Sequence, residues 1–178
     1  MATKLLRSNI TVLLAYPEAF ADPANPTAAE LNDQFAYGTN EDAMVFNISC
    51  AITDEGYTFN LNESDTDDTR TICDVGQVQN PTFQNYEVSF DALRDEDVDA
   101  EGVFNLLWNL TKGLDRPFWA ITRIGKPQTA PFAVNDDIRM LGLVTDNGID
   151  LVEDNTLIQW GARFKPDGQV VWNYRLAA

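Results

Sequence analysis

The segment from Tyr86 to Ile124 limits the possible fold more than any other part of the chain. Tyr86, Val88 and Phe90 alternate with Glu87 and Ser89, the period of a strand with one buried face. After the acidic run 91–101 the spacing changes, and Val103, Phe104, Leu106, Leu107, Trp108 and Leu110 fall at helical intervals. Asp97 or Asp99 is placed to cap that helix, Glu101 to add negative charge to its first turn, and Lys112 and Gly113 to close it. Pro117 then opens a second alternating stretch, Phe118 to Ile124, which stops at the turn Gly125-Lys126-Pro127. Every other convincing segment also has period two. The chain is therefore predicted to be mainly β (α+β): an antiparallel β-sandwich or barrel with one flanking helix, about residues 98–112, in a single domain over residues 1–178.

Composition removes several function classes. The 28 acidic against 12 basic residues give a net charge of −16, and the excess is concentrated in residues 41–101, where 16 acids face Arg70 and Arg94. Such a surface repels nucleic acid and anionic membrane, because binding either needs phosphate-neutralising Lys and Arg. There is no histidine, which excludes Ser-His and Cys-His nucleophile pairs, His metal ligands and a His-based pH switch. Two cysteines, Cys50 and Cys73, cannot complete a zinc site without histidine partners. Cys50 falls on the apolar face of a predicted strand, which suits a small buried hydrophobe better than a disulfide.

No apolar run approaches the roughly 20 residues that span a bilayer. Lys4, Arg7, the apolar stretch Ile10–Tyr16 and Ala19-Phe20-Ala21 imitate a secretory signal. Asn9 and Thr11 dilute it and Glu18 sits beside the supposed cleavage site, so Leu5–Ala15 reads as the first strand. Residues 17–40 follow as a long Pro- and Ala-rich loop or arm, with a short helical turn over Thr27–Asn32. Met44, Phe46, Ile48, Cys50 and Ile52 then share one face of a strand. With Asp54-Glu55-Gly56 as the turn and Tyr57, Phe59 and Leu61 as the return, residues 43–61 read as a hairpin. An acidic loop covers residues 62–76. Ile138–Thr145 is a further strand ending at Asp146-Asn147-Gly148. Leu157–Phe164 and Gln169–Arg175 read as a closing hairpin about Lys165-Pro166-Asp167-Gly168.

The residues offer little chemistry. Asp65, Asp67 and Asp68 invite a calcium reading, but Arg70 and Gly76 stand where an EF-hand loop needs Gly and Glu. The carboxylates Asp95, Glu96, Asp97, Asp99 and Glu101 could pair for acid–base work, yet they sit where a helix N-terminus favours negative charge. The Asn-x-Ser/Thr triplets at Asn9, Asn47, Asn62 and Asn109 match their pattern by chance, and no Gly-rich phosphate loop is present. No enzyme activity, cofactor or metal is expected.

Two stretches carry a resemblance. One is Ala21-Asp22-Pro23-Ala24-Asn25-Pro26-Thr27-Ala28-Ala29-Glu30-Leu31-Asn32. The other runs from Asn62 to Phe90 and includes Glu63-Ser64-Asp65-Thr66-Asp67-Asp68-Thr69-Arg70-Thr71, Cys73-Asp74 and Tyr86-Glu87-Val88-Ser89-Phe90-Asp91. With the single helix and the closing strands, the chain resembles the major tail (tail tube) proteins of long-tailed, siphovirus-like phages, nearest to those of actinobacterial phages. The resemblance implies a structural virion protein that stacks as six-membered rings around a tape-measure protein. It implies a tail terminator and baseplate or tip proteins as further partners, no membrane, and assembly in the host cytoplasm. The lumen would conduct DNA during ejection without binding it specifically, and the acidic excess suits a channel that repels phosphate. On this reading Glu63, Asp65, Asp67, Asp68 and Arg70 reach the neighbouring ring, and Leu5, Leu6, Phe20, Leu31 and Phe35 belong to an arm on an adjacent subunit. The alternative is a non-polymerising acidic β-domain, a binding or virion-decoration module, marked by an exposed aromatic patch and a persistent monomer.

Overall fold

The computed structural model describes residues 9–53, 55–67, 80–153 and 158–176, and of residues 61–67, 80–84, 147–153, 158 and 168–173 it describes the backbone alone. Seven strands make one antiparallel sheet: β1 (Ile10–Ala15), β2 (Val45–Asn47), β3 (Thr58–Asp67), β4 (Asn80–Leu93), β5 (Pro117–Ile124), β6 (Asp137–Glu153) and β7 (Ile158–Arg175). Their order is β2-β1-β5-β6-β7-β4-β3. Two helices accompany them, α1 (Ala28–Asn32) and α2 (Val103–Thr111). The fold is the expected mainly β sandwich with one substantial helix.

The long strands β6 and β7 join the two layers. Between Ile138 and Val144, β6 pairs with β5, while its second half, from Thr145 to Glu153, pairs with Phe164–Ile158 of β7. That same part of β7 pairs on its other side with Val88–Leu93 of β4. Register shifts after Ile138, Leu141 and Asp146 bend the ladder between the halves. The halves face each other across a core that takes Val12 and Leu14 from β1, Phe118 and Ala120 from β5, and Val88, Phe90 and Ala92 from β4. Trp160, Ala162 and Phe164 of β7 and Leu107 and Leu110 of α2 complete it. Trp160 is fully buried, edge-on to Trp108 at 5.4 Å and to Phe90 at 6.0 Å. The Tyr57 hydroxyl meets that of Thr122 in a hydrogen bond.

Several local expectations are corrected. Residues 43–61 do not form a hairpin: β2 is three residues long and pairs with β1, and β3 pairs with β4. Asn47 and Ser49 explain the early stop, because their side chains compete for the backbone. Asn47 Oδ1 accepts from the Ser49 amide at 3.2 Å, and Ser49 Oγ accepts from the Val12 amide at 2.9 Å, where a continuing strand would have paired. Cys50 therefore lies exposed in a turn rather than on an apolar face; Cys73 falls outside the described residues. Asp146-Asn147-Gly148 is a bulge within β6 rather than a turn. Lys165-Pro166-Asp167-Gly168 also lies within β7: Lys165 and Pro166 pair with Val144 and Leu143 of β6, Asp167–Gln169 bulge opposite Gly142, and pairing resumes at Val170. Pro166 sits opposite Leu143 at a register shift, a position where proline is tolerated in a sheet. The hairpin instead connects Glu153 to Ile158.

The N-cap of α2 is Gly102, with no side-chain cap, and its first turn holds no acid. Asp95 and Asp97 instead accept from the amides of Asp97 and Asp99, both at 3.1 Å, which accounts for the alternating acids as successive turns. Asn105 Nδ2 fastens that run to the helix by donating to the Asp97 and Ala100 carbonyls at 2.8 and 2.9 Å. At the other end Arg116 donates to the Asn109 and Leu110 carbonyls. The left-handed residue beyond the helix is Asp115, at φ 54°, and not Gly113.

The half formed by β1, β5 and β6 is buried on both faces. Its second face, with Leu13, Trp119, Ile121 and Met140, is covered by Phe20, Leu31, Phe132 and Leu176. Arg123 is almost fully buried there. It donates to Thr11 Oγ1 and to the Pro127, Ala130 and Pro131 carbonyls, reaches Asp136 Oδ2 at 3.3 Å, and lies 4.1 Å over the Phe132 ring. Lys126 also bonds Asp136. Burial pushes the Asp136 carboxyl up, but bonds from Lys126, the Ala133 amide and Arg123 outweigh it and hold the carboxyl below its usual range. A depressed carboxylate adds stability that is complete above its unfolded value, about pH 4, and lost as pH falls through the lower folded value.

Asp136→Asn should therefore leave the buried guanidinium without its counter-charge and cost about 3–5 kcal/mol, read as a lower urea midpoint at unchanged m. A loss under about 1 kcal/mol would mean that the carbonyl cradle alone satisfies Arg123.

Candidate functional site

The layer made of β3, β4, β7 and the second half of β6 has two unlike faces. Val88, Phe90, Ala92, Trp160, Ala162 and Phe164 point into the core, so their sequence neighbours form the outer face. That face carries Thr58, Asn60, Glu87, Ser89, Asp91, Gln159, Gly161, Arg163, Lys165 and Asp146, and it is mainly polar, with Leu93 and Val144 as apolar positions in register with Gln159 and Lys165. Its two described cations are both in ion pairs. Arg163 Nη1 lies 3.3 Å from Asp91 Oδ1, and Lys165 Nζ lies 2.8 Å from Asp146 Oδ1.

Both edges of this layer are open among the described residues. β3 is the terminal strand of the sheet. β5 stops opposite Val144, so Asp146–Glu153 of β6 pairs with β7 and with no strand on its other side. The far edge of the sheet is different. There β2 is covered by its own chain, the Phe35 amide donating to the Val45 carbonyl at 2.7 Å. Open edges invite pairing with another chain, and small proteins normally blunt or cover them.

The described part of the stretch expected as an acidic loop, residues 62–67, is strand. Asn62 to Asp67 belongs to β3 and pairs with Asn80–Asn85 of β4, with a bulge between Asn62 and Asp65. β7 meets β4 from Val88 onward, so this pair of strands continues past the four-stranded layer as an arm. Glu63, Asp65 and Asp67 lie along it, Asp65 in register with Phe83 and Asp67 with Asn80. Asp68 and Arg70 lie outside the described residues.

Phe20, Leu31 and Phe35 pack within the subunit that carries them. Phe20 and Leu31 are buried in the second core cluster, and Phe35 packs against the first, 5.5 Å from the Phe46 ring. A capping box starts α1: Thr27 Oγ1 accepts from the Glu30 amide, and Glu30 Oε2 accepts from that of Thr27. Burial raises the Glu30 carboxyl, but bonds from the Ala21 and Thr27 amides and the Thr27 hydroxyl bring it below its usual range. Asn32 exchanges two hydrogen bonds with the Phe132 backbone at 2.7 and 2.8 Å, which holds the segment on the body. Leu5 and Leu6 lie outside the described residues. The exposed apolar side chains near this segment are Tyr37 and Met44.

The sequence reading did not single out Asp91, Asp146, Arg163 or Lys165. Two-residue spacing from Gly161 to Arg163 to Lys165 marks one strand face, but that signal was hidden by reading 165–168 as a turn. A cleft of about 220 Å³ is lined by Glu18, Glu30, Asp33 and Asp42. Among the described residues no three Cys, Asp or Glu gather as metal ligands would, and no helix is long and apolar enough to cross a membrane.

A family model described as phage tail tube protein matches residues 1–178. No curated protein matches the chain.

Because Leu31 is fully buried in its own subunit, Leu31→Ala should lower the stability of the isolated monomer by about 2–5 kcal/mol in denaturant titration. An unchanged monomer that no longer assembles would move this side chain to an intersubunit contact.

Proposed function

The chain belongs to the phage tail tube protein family, and from that premise we propose that it polymerises as stacked six-membered rings into the tube of a long, non-contractile tail, of the kind carried by actinobacterial phages. The observation that supports this best is the four-stranded layer with two open edges and one polar face. The β3 edge of one subunit meets the Asp146–Glu153 edge of the next, and repetition of that contact closes a ring. Strand pairing satisfies the exposed backbone groups and leaves the apolar face in each subunit's own core. The polar face then lines the channel.

Glu87 and Asp91, from the acidic stretch, lie on that face and give the lumen a charge that does not hold phosphate. The arm with Glu63, Asp65 and Asp67 leads to Asp68 and Arg70 and makes the contact between rings. Residues 5–40 include a contact with the adjacent subunit, made by Leu5 and Leu6 and by the exposed Tyr37 together with Met44, while Phe20, Leu31 and Phe35 hold the segment on its own body. Rings grow in the host cytoplasm around a tape-measure protein, between a tip or baseplate and a terminator. The role is structural and needs no cofactor or catalytic group.

Negative-stain electron microscopy over a concentration series tests the assembly. Rings or hollow tubes of uniform width are expected. A monomer at all concentrations, even with tip and tape-measure proteins added, would favour a binding or decoration module. Deleting 65–70 should leave a folded subunit that does not stack, and tubes of normal length from that variant would remove the ring-to-ring role of this segment. In phage carrying Glu87→Lys, DNA ejection should slow; normal ejection kinetics would count against placing this face in the lumen.

A further inference from the structure

The channel-facing surface proposed above contains two cations, and a cation in a DNA conduit is a place for phosphate to stick. We infer that Asp91 and Asp146 are positioning residues that hold Arg163 and Lys165 against the sheet and so keep this face from retaining DNA. The masking rests on the lumen reading for its biological meaning, but its chemistry can be measured without it.

The geometry is specific. Arg163 and Asp91 are diagonal neighbours on adjacent strands, since Ser89 is in register with Arg163 and Gly161 with Asp91. Asp146 is in register with Arg163 on the other side, and its carboxylate is taken by Lys165. The four residues thus alternate in sign across β4, β7 and β6. The Arg163–Asp91 pair also lies flat over Gly161. A Cβ built there would stand 2.9 Å from both Arg163 Nη1 and Asp91 Oδ1, so the missing side chain makes room for the guanidinium to lie down. Had residue 161 carried a side chain, the Arg would stand out toward solvent, its donors directed into the channel. Arg163 and Lys165 are 47% and 64% exposed, and pairs so open to water contribute little to folding. Their consequence lies in what the cations are prevented from contacting.

The test uses Asp91→Asn, Asp146→Asn and the double variant as purified subunits, with a short DNA duplex as the probe in fluorescence anisotropy near 50 mM salt. Asp95→Asn with Glu96→Gln removes the same charge from the exposed acidic run and serves as the control. Phosphate has only to displace a carboxylate held in a solvent-exposed pair, a competition worth up to about fivefold in affinity. The double variant should therefore gain up to about fivefold over the control for each cation released, and lose the gain as salt rises. Adding Arg163→Gln and Lys165→Gln should abolish the gain. Gly161→Ala gives a second route, because it displaces the flexible ends of the pair without altering either charge; it should also raise DNA affinity.

Equal gains in the control would reduce the effect to net charge and overturn the masking. No gain in the double variant or in Gly161→Ala, with circular dichroism showing a folded subunit, would overturn it as well. Phage carrying Asp91→Asn separates the two readings. Tighter subunit binding with slower ejection supports both, whereas tighter binding with unchanged ejection supports the masking and removes this face from the lumen.

Discussion

The fold depends on a single ladder, the one between β6 and β7. These strands, 17 and 18 residues long, belong to both layers of the sandwich. The first half of β6 runs beside β5, and its second half, with the first part of β7 and with β4, carries the polar face. Bulges after Leu141 and Asp146 provide the bend that lets one pair of strands serve two layers. Because no separate connection joins the layers at this point, the core between them and the position of the open edge on β6 follow from the same hydrogen-bonded register. A slip by one residue would exchange Trp160, Ala162 and Phe164 with Gln159, Gly161 and Arg163 and destroy both faces at once.

The remaining elements fix this frame without lying in the proposed ring contact. Arg123 gathers the 127–136 loop around one buried guanidinium, and Asn32 ties α1 to the same loop through Phe132. The β1-β5 half is thereby closed on both faces and covered at its β2 edge. Among the described residues the other layer has an open β3 edge, an open stretch of β6 and a two-stranded arm. This division, one finished layer and one unfinished, is what a subunit that completes itself through neighbours requires. It also accounts for the charge distribution. Asp95 and Asp97 of the 95–101 run are spent on local turns, while Glu87 and Asp91 lie on the polar face.

How much was legible in the sequence can be argued from particular residues. Helix α2 and the apolar face of β4 followed from periodicity, because each is a regular element with one buried side, whereas β5 was bounded by Pro117 and the Gly125-Lys126-Pro127 turn and is buried on both faces. The likeness to tail tube proteins was carried by residues 21–32 and 62–90, and the family match extends over the whole chain. Cys50 and the predicted 43–61 hairpin were misread, because alternation from Met44 to Ile52 continues past the point where Asn47 and Ser49 capture the backbone. Lys165-Pro166-Asp167-Gly168 has turn composition, yet it produces a bulge at Asp167–Gln169 within β7 rather than a chain reversal, because pairing with β6 resumes at Val170.

The sequence by itself determined the period of each element, the excess of acid and the absence of histidine, because these depend on residue identity and spacing along one dimension. Tertiary structure alone decided which strands are shared by two layers, which edges stay open, and that Asp91 and Arg163 meet over Gly161. Those facts arise from pairing between residues distant along the chain, 72 positions in the case of Asp91 and Arg163, where register and close approach are set by the packed core. No local pattern encodes which strand will lie beside which.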